Sequence, residues 1–220
     1  MEDTISYKGY TINIERDDYP SNPRKDWDPT STIASFDDTI ENECDDRNYG
    51  DTVNTELNFE AIKADYVFSV KMVAILPLHF KKYSYDCNLN TKGNGNQIGF
   101  AYISKEMWES HMGWTDESSE WWQEHHKGKS KADVARNIIK SEIKTYNEYL
   151  NGKCYSFSIK GDDHEDRCSG YYGDDHEESG LLDSAEESID CHLNWLLKAK
   201  LKVLKGYLKA KIPIIYRFAS

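Results

Sequence analysis

No apolar run in this 220-residue chain approaches the roughly 20 residues that a membrane-crossing helix needs. The opening residues, Met1-Glu2-Asp3-Thr4, carry neither the basic region nor the apolar stretch of a secretion signal. No CxxC pair occurs among the five cysteines, Cys44, Cys87, Cys154, Cys168 and Cys191. Their odd number and wide spacing argue against both a zinc ribbon and a disulfide framework. The expectation is a cytoplasmic protein, in the host cell cytoplasm on the resemblance given below, with reduced thiols. Neither GxGxxG nor a P-loop is present. The stretch Gly93-Asn94-Gly95-Asn96-Gln97 has no lysine and reads as a turn. No cofactor and no catalytic residue is therefore expected. Cys191 adjoins His192 on a predicted helix, but adjacent helix positions point in different directions, so a thiolate–imidazolium couple does not follow.

Aromatic residues, by contrast, are plentiful: 13% of the chain, including 15 Tyr and 6 Trp. Disordered chains are poor in such side chains, and their length of apolar surface is worth ordering only when packed. The net charge is −12, and it is unevenly placed. All 39 acidic residues lie at or before Asp190, whereas the last thirty residues hold seven Lys or Arg and no acid. An acidic body repels nucleic acid and anionic membrane surfaces and attracts a basic partner. The expected partner is a basic nucleic-acid-binding protein, with no direct nucleic-acid or membrane contact.

The pattern along the chain predicts an α+β fold, mostly antiparallel, with helices on one side. Thr4–Tyr7 and Tyr10–Ile14 alternate around Lys8-Gly9, a hairpin signature. Three prolines, Pro20, Pro23 and Pro29, preclude regular structure in the next loop. Thr32 to Phe36 suits a short strand, and Asp37 to Asn58 a long polar loop. Tyr66 to Leu78 is nearly continuously apolar, as in a strand buried on both faces. A loop over Asn88 to Asn96 leads to a strand at Gln97–Ile103. Ser104 and Thr115 are candidate helix caps, and Ser130 with Asp133 starts a helix closed by Gly152. Cys154 to Ile159 alternates as a strand, followed by acidic loops around Tyr171-Tyr172. Ser184 and Glu187 open a long helix, over 183–212, with apolar Ile189, Leu193, Leu196, Leu197, Leu204 and Leu208 opposite a lysine-rich face, stopped by Pro213. One domain over 1–220 is the reading.

One local feature repeats: Gly161-Asp162-Asp163-His164 and Gly173-Asp174-Asp175-His176, each followed by Glu. Carboxylates beside imidazole suit a divalent metal, and a hydrolase would use them to activate water. Asp162, Asp163, His164, Asp174, Asp175 and His176 are the ligands of that alternative, although the spacing is not that of an EF-hand. Glycine with acidic residues is equally ordinary turn chemistry. Trp121-Trp122, flanked by Glu120 and Glu124, has the wrong surrounding charge for a base-stacking platform and suits a core or protein contact.

Several segments together resemble a family of uncharacterised phage and prophage proteins. They are Tyr7-Lys8-Gly9-Tyr10, Asp17-Asp18, Asn22-Pro23-Arg24 and Trp27-Asp28, then Ile75-Leu76-Pro77-Leu78 and Gln97-Ile98-Gly99-Phe100-Ala101-Tyr102-Ile103-Ser104-Lys105-Glu106. Glu142 through Leu150-Asn151-Gly152 and Gly170-Tyr171-Tyr172-Gly173-Asp174-Asp175 complete the set, which spans most of the chain. Ala34-Ser35-Phe36-Asp37 stands where that family often has Cys-x-His, and an Asn/Gly loop replaces its aromatic-glycine segment before Gln97. No histidine role is transferred at the first of these. The resemblance implies a phage or mobile-element setting, in which small acidic proteins counter host defence, some as decoys in a nuclease groove. Setting and charge together point to a non-enzymatic inhibitor of anti-CRISPR or anti-restriction type. Its partner-binding residues would be Asp37, Asp38, Glu41, Glu43, Asp45, Asp46, Asp51, Asp162, Asp163, Asp174, Asp175, Glu177 and Glu178. The alternatives are a metal-dependent hydrolase acting on nucleic acid or a nucleotide signal, and an accessory protein with a host replication or takeover partner.

Overall fold

The computed structural model describes residues 3–35, 40, 72–83, 86–113, 116–161 and 163–211. In chain order come β1 Asp3–Tyr7, β2 Tyr10–Arg16, β3 Thr32–Ser35, β4 Met72–Lys82, β5 Cys87–Asn90 and β6 Asn96–Ser104. Then follow α1 Lys105–Met112, α2 Glu120–His126, α3 Lys131–Leu150, β7 Cys154–Lys160, β8 Glu165–Tyr172 and α4 Leu181–Lys211. The fold is α+β, with two four-stranded antiparallel sheets and a long C-terminal helix. The sequence reads as one domain; the structure forms two compact units, Met1–Tyr19 with Cys154–Ser220, and Pro20–Lys153. The second is inserted between β2 and β7, which pair with each other, and Asp17 N donates to Cys154 O at 2.8 Å just beyond the pairing.

The first unit carries the sheet β1-β2-β7-β8. Lys8 and Gly9 both take positive φ, 49° and 88°, as the two-residue hairpin turn requires. Tyr10, Ile12 and Ile14 alternate inward from β2 and meet Tyr155, Phe157 and Ile159 of β7. Leu181, Ala185 and Ile189, spaced four apart on α4, close this core. The helix begins at Leu181 and not at Ser184: Ser184 N already donates to Gly180 O, and burying Leu181 draws the earlier turn into the helix. Its apolar stripe is buried only as far as Ile189; from Leu201 to Leu208 every side chain is exposed. Pro213 lies outside the described residues.

The acidic loop expected before Tyr171 is instead β8, hydrogen-bonded to β7 along its length. It is an outer strand whose first six residues are exposed, so it shows no apolar alternation to read. Gly170, at φ 92°, takes the extra position of a bulge opposite Tyr155 and Ser156.

The second unit carries the sheet β3-β6-β4-β5 with α3 packed on it. Ile33, Leu78, Ala101, Ile103, Trp108, Trp122, Ala135, Ile139 and Ile143 fill its core. Of the predicted Tyr66–Leu78 strand, residues 66–71 lie outside the described residues. The strand that forms runs on to Lys82 and buries Ala74, Leu78 and Phe80 rather than both faces. β5 runs into the expected Asn88–Asn96 loop because α3 and its C-cap supply acceptors there: Cys87 N donates to Asn151 Oδ1 and Leu89 N to Asn147 Oδ1, both at 2.7 Å. Ser104 and Ser130 cap α1 and α3 as their positions indicate, accepting from Met107 N and Asp133 N. Thr115 lies outside the described residues, and the cap of α2 is Ser119, which accepts from Trp122 N. Arg24 is buried against α3, where Glu142 accepts from Arg24 Nη1, Thr30 N, Ser31 N and Ser31 Oγ.

Candidate functional site

Polar side chains in the first unit gather where the β7–β8 turn meets α4. Gly161 opens that turn, and a Cβ on it would lie 2.2 Å from Tyr10 Cδ1, so only glycine fits beside the tyrosine ring. Gly161 N donates to His164 O at 3.0 Å and closes the loop. This geometry lays Asp163 against Tyr10, whose hydroxyl donates to Asp163 Oδ1 at 2.7 Å. It also turns His164 toward the helix, with Nε2 3.2 Å from Ser188 Oγ.

Ser188 and His192 are one helical turn apart and share a face of α4. Ser188 Oγ donates to Asp166 Oδ2, and the His192 ring stacks on His164 with centroids 4.3 Å apart and planes 11° from parallel. Tyr10 presents its ring edge-on to both imidazoles, and Trp195 lies across His192 at 6.1 Å. His192 Nε2 sits 3.5 Å from Asp163 Oδ1. The Tyr10 hydroxyl, with His192 beside it, holds the Asp163 carboxyl below the usual carboxylate range. The Ser188 hydroxyl, with the Arg167 amide and His164, does the same for Asp166.

Chemically this is a hydroxyl–imidazole–carboxylate cluster with the proton running the wrong way for a nucleophile. Ser188 gives its proton to Asp166, so His164 Nε2 must donate to Ser188 rather than accept from it. Ser188 also lies inside α4, where backbone N–H groups are committed to the helix and offer no oxyanion site. The cluster fixes the β7–β8 turn to α4.

The second tetrad serves a different tyrosine by similar means. Asp174 Oδ1 accepts from Tyr155 OH at 2.6 Å, and the His176 ring meets Tyr155 edge-on at 4.8 Å. Burial, then the hydrogen bond to Asp174, pushes the Tyr155 hydroxyl above its ordinary range. Asp175 Oδ1 accepts from Glu177 N and Glu178 N, which is ordinary acidic turn chemistry. The tetrads flank the eight residues of β8, which separate them by about 25 Å of extended chain. Among the described residues, no three His, Cys, Asp or Glu side chains converge to hold a metal ion. Asp162 lies outside the described residues, as do Asp37, Asp38, Glu41, Glu43, Asp45, Asp46 and Asp51.

Asp163, Asp174, Asp175, Glu177 and Glu178 are all exposed, Asp174 with its carboxylate on the Tyr155 hydroxyl. Glu165 and Asp166, at the start of β8, extend the same acidic strand and escape a search confined to the tetrads. Tyr10, Ser188 and His192 escape it too; the four-residue spacing of Ser188 and His192 on a helix was the available signal. Trp122 is fully buried with Nε1 donating to Lys129 O, whereas Trp121 is half-exposed and stacked on His125. Cys154 is buried and Cys191 exposed. No family model, curated protein or solved structure matches the chain.

Proposed function

We propose that the protein is a non-enzymatic binding protein whose acidic β8 edge occupies a basic nucleic-acid-binding surface of a host defence nuclease. The observation that carries this reading is β8 itself: an outer strand exposed over its first six residues and acidic at both ends. Asp163, Glu165 and Asp166 stand at one end, and Asp174, Asp175, Glu177 and Glu178 at the other. A span of about 25 Å covers roughly seven base-pair steps of duplex, the scale of a groove contact. The polar chemistry supports binding over hydrolysis, since Asp163 and Asp174 are tied to Tyr10 and Tyr155 and Asp175 to the backbone of its own turn. Net acidity and the resemblance to phage proteins supply the setting, an inhibitor of anti-CRISPR or anti-restriction type.

The test uses the full chain against a panel of Cas effectors and restriction nucleases, reading displacement of their nucleic acid. Inhibition is expected at low salt and weakens as salt shortens the screening length below about 10 Å. Glu165→Lys with Glu177→Lys should slow association by about tenfold or more and leave the fold intact. Binding that is indifferent to both salt and these reversals refutes the reading.

A further inference from the structure

The exposed half of α4 carries a second surface of opposite sign. Leu197, Leu201, Leu204 and Leu208 recur at steps of four, three and four, the a/d spacing of a helix-pairing seam. They are 56%, 44%, 51% and 52% exposed, so nothing among the described residues covers them. Lys198 and Lys205 border the seam on one side and Lys200 on the other, at the positions that face a partner helix's flanks. No acidic residue occurs anywhere in this segment.

Two occupants fit poorly. A second copy of the helix would set Lys200 against Lys205 on both borders of a parallel pair, and Lys198 against Lys205 along one border of an antiparallel pair. A lipid surface would have to cover the neighbouring stripe of Leu196, Val203 and Tyr207 as well, about 110° round the helix. Lys200 and Lys211 lie between the two stripes, so a flat apolar phase would bury their ammonium groups. Lys211 is instead drawn over the Tyr207 ring at 4.6 Å. A single partner helix needs only the leucine stripe and leaves both lysines at its rim.

We infer that residues 197–208 of α4 dock an acidic amphipathic helix of another protein, leucine seam to leucine seam, with partner carboxylates against Lys198, Lys200 and Lys205. This site is separate in sequence and opposite in charge from the β8 edge.

The experiment titrates the full chain by calorimetry with two designed heptad peptides, both Leu at a and d, one with Glu and one with Lys at e and g. The Glu peptide is expected to bind and the Lys peptide to fail. Leu201→Asp should weaken binding by about tenfold or more, with helix content unchanged by circular dichroism. Lys198→Glu with Lys205→Glu should reverse the preference between the peptides. Equal binding of both peptides, or of neither, overturns the inference. So does tighter binding to phosphatidylserine vesicles than to the Glu peptide, or a dimer in sedimentation that Leu201→Asp dissolves.

Discussion

His164, in the turn before β8, and His192, on α4, stack with ring centroids 4.3 Å apart and planes 11° from parallel. Twenty-eight residues separate them in sequence, yet the contact fixes which turn of the helix the hairpin meets. Tyr10 stands edge-on to both rings and bonds Asp163, so three segments of the first unit share one small polar contact.

Gly161→Ala tests that contact from beneath. The new methyl would sit 2.2 Å from Tyr10 Cδ1, and the ring must move, breaking the Tyr10–Asp163 bond. Destabilisation of about 1–3 kcal/mol is expected in urea unfolding, as for other overpacked sites. Gly206→Ala, on the exposed part of α4 where an added Cβ meets nothing within 4 Å, is the control that adds a methyl without a clash and should not destabilise.

Acid should loosen the same region. Asp163 and Asp166 have folded pKa values depressed below the ordinary carboxylate value, by the Tyr10 and Ser188 hydroxyls first. A depressed folded pKa contributes stability that is complete above the unfolded pKa and lost as pH falls through the folded one. The acid limb of the stability curve should therefore fall below about pH 4, and Asp166→Asn should flatten it. Thermal unfolding followed at stepped pH measures both.

Glu142 accepts from a buried guanidinium, two backbone amides and a serine hydroxyl. Glu142→Ala leaves Arg24, with a side chain 1% exposed, without that charge partner. A loss of about 3–5 kcal/mol is expected, against a much smaller loss for Arg24→Met combined with Glu142→Leu. Chemical denaturation of the single and double variants decides.

The two halves of α4 should respond oppositely to truncation. Ile189→Ala removes a fully buried side chain and should cost about 2–5 kcal/mol. Val203→Ala, at a position 73% exposed, should stay within about 0.5 kcal/mol. Equal effects in equilibrium unfolding would contradict the burial boundary near Ile189.

What the sequence disclosed was what short-range physics controls. Ser104 and Ser130 are legible as caps because the groups they bond lie three residues away. The Lys8-Gly9 turn and the inward alternation of Ile12 and Ile14 are equally local. β8 was hidden because its ladder comes from β7 while its side chains face water. β5 was hidden because Asn147 and Asn151, some sixty residues on, complete its hydrogen bonds. The polar cluster was half legible: the tetrads drew notice for their composition, but their partners Tyr10, Tyr155 and Ser188 are set by strand order and helix register.

The insertion of Pro20–Lys153 between two paired strands imposes an order of events on the newborn chain. β2 leaves the ribosome early, yet its neighbour β7 emerges only after the whole inserted unit has been made. The inserted unit is contiguous and can close its own short-range contacts meanwhile. The hairpin β1–β2, marginal alone, must wait for the returning segment. Completion of the first unit is thus the late step of biogenesis, because a chain halted before Cys154 lacks the β7 with which β2 pairs.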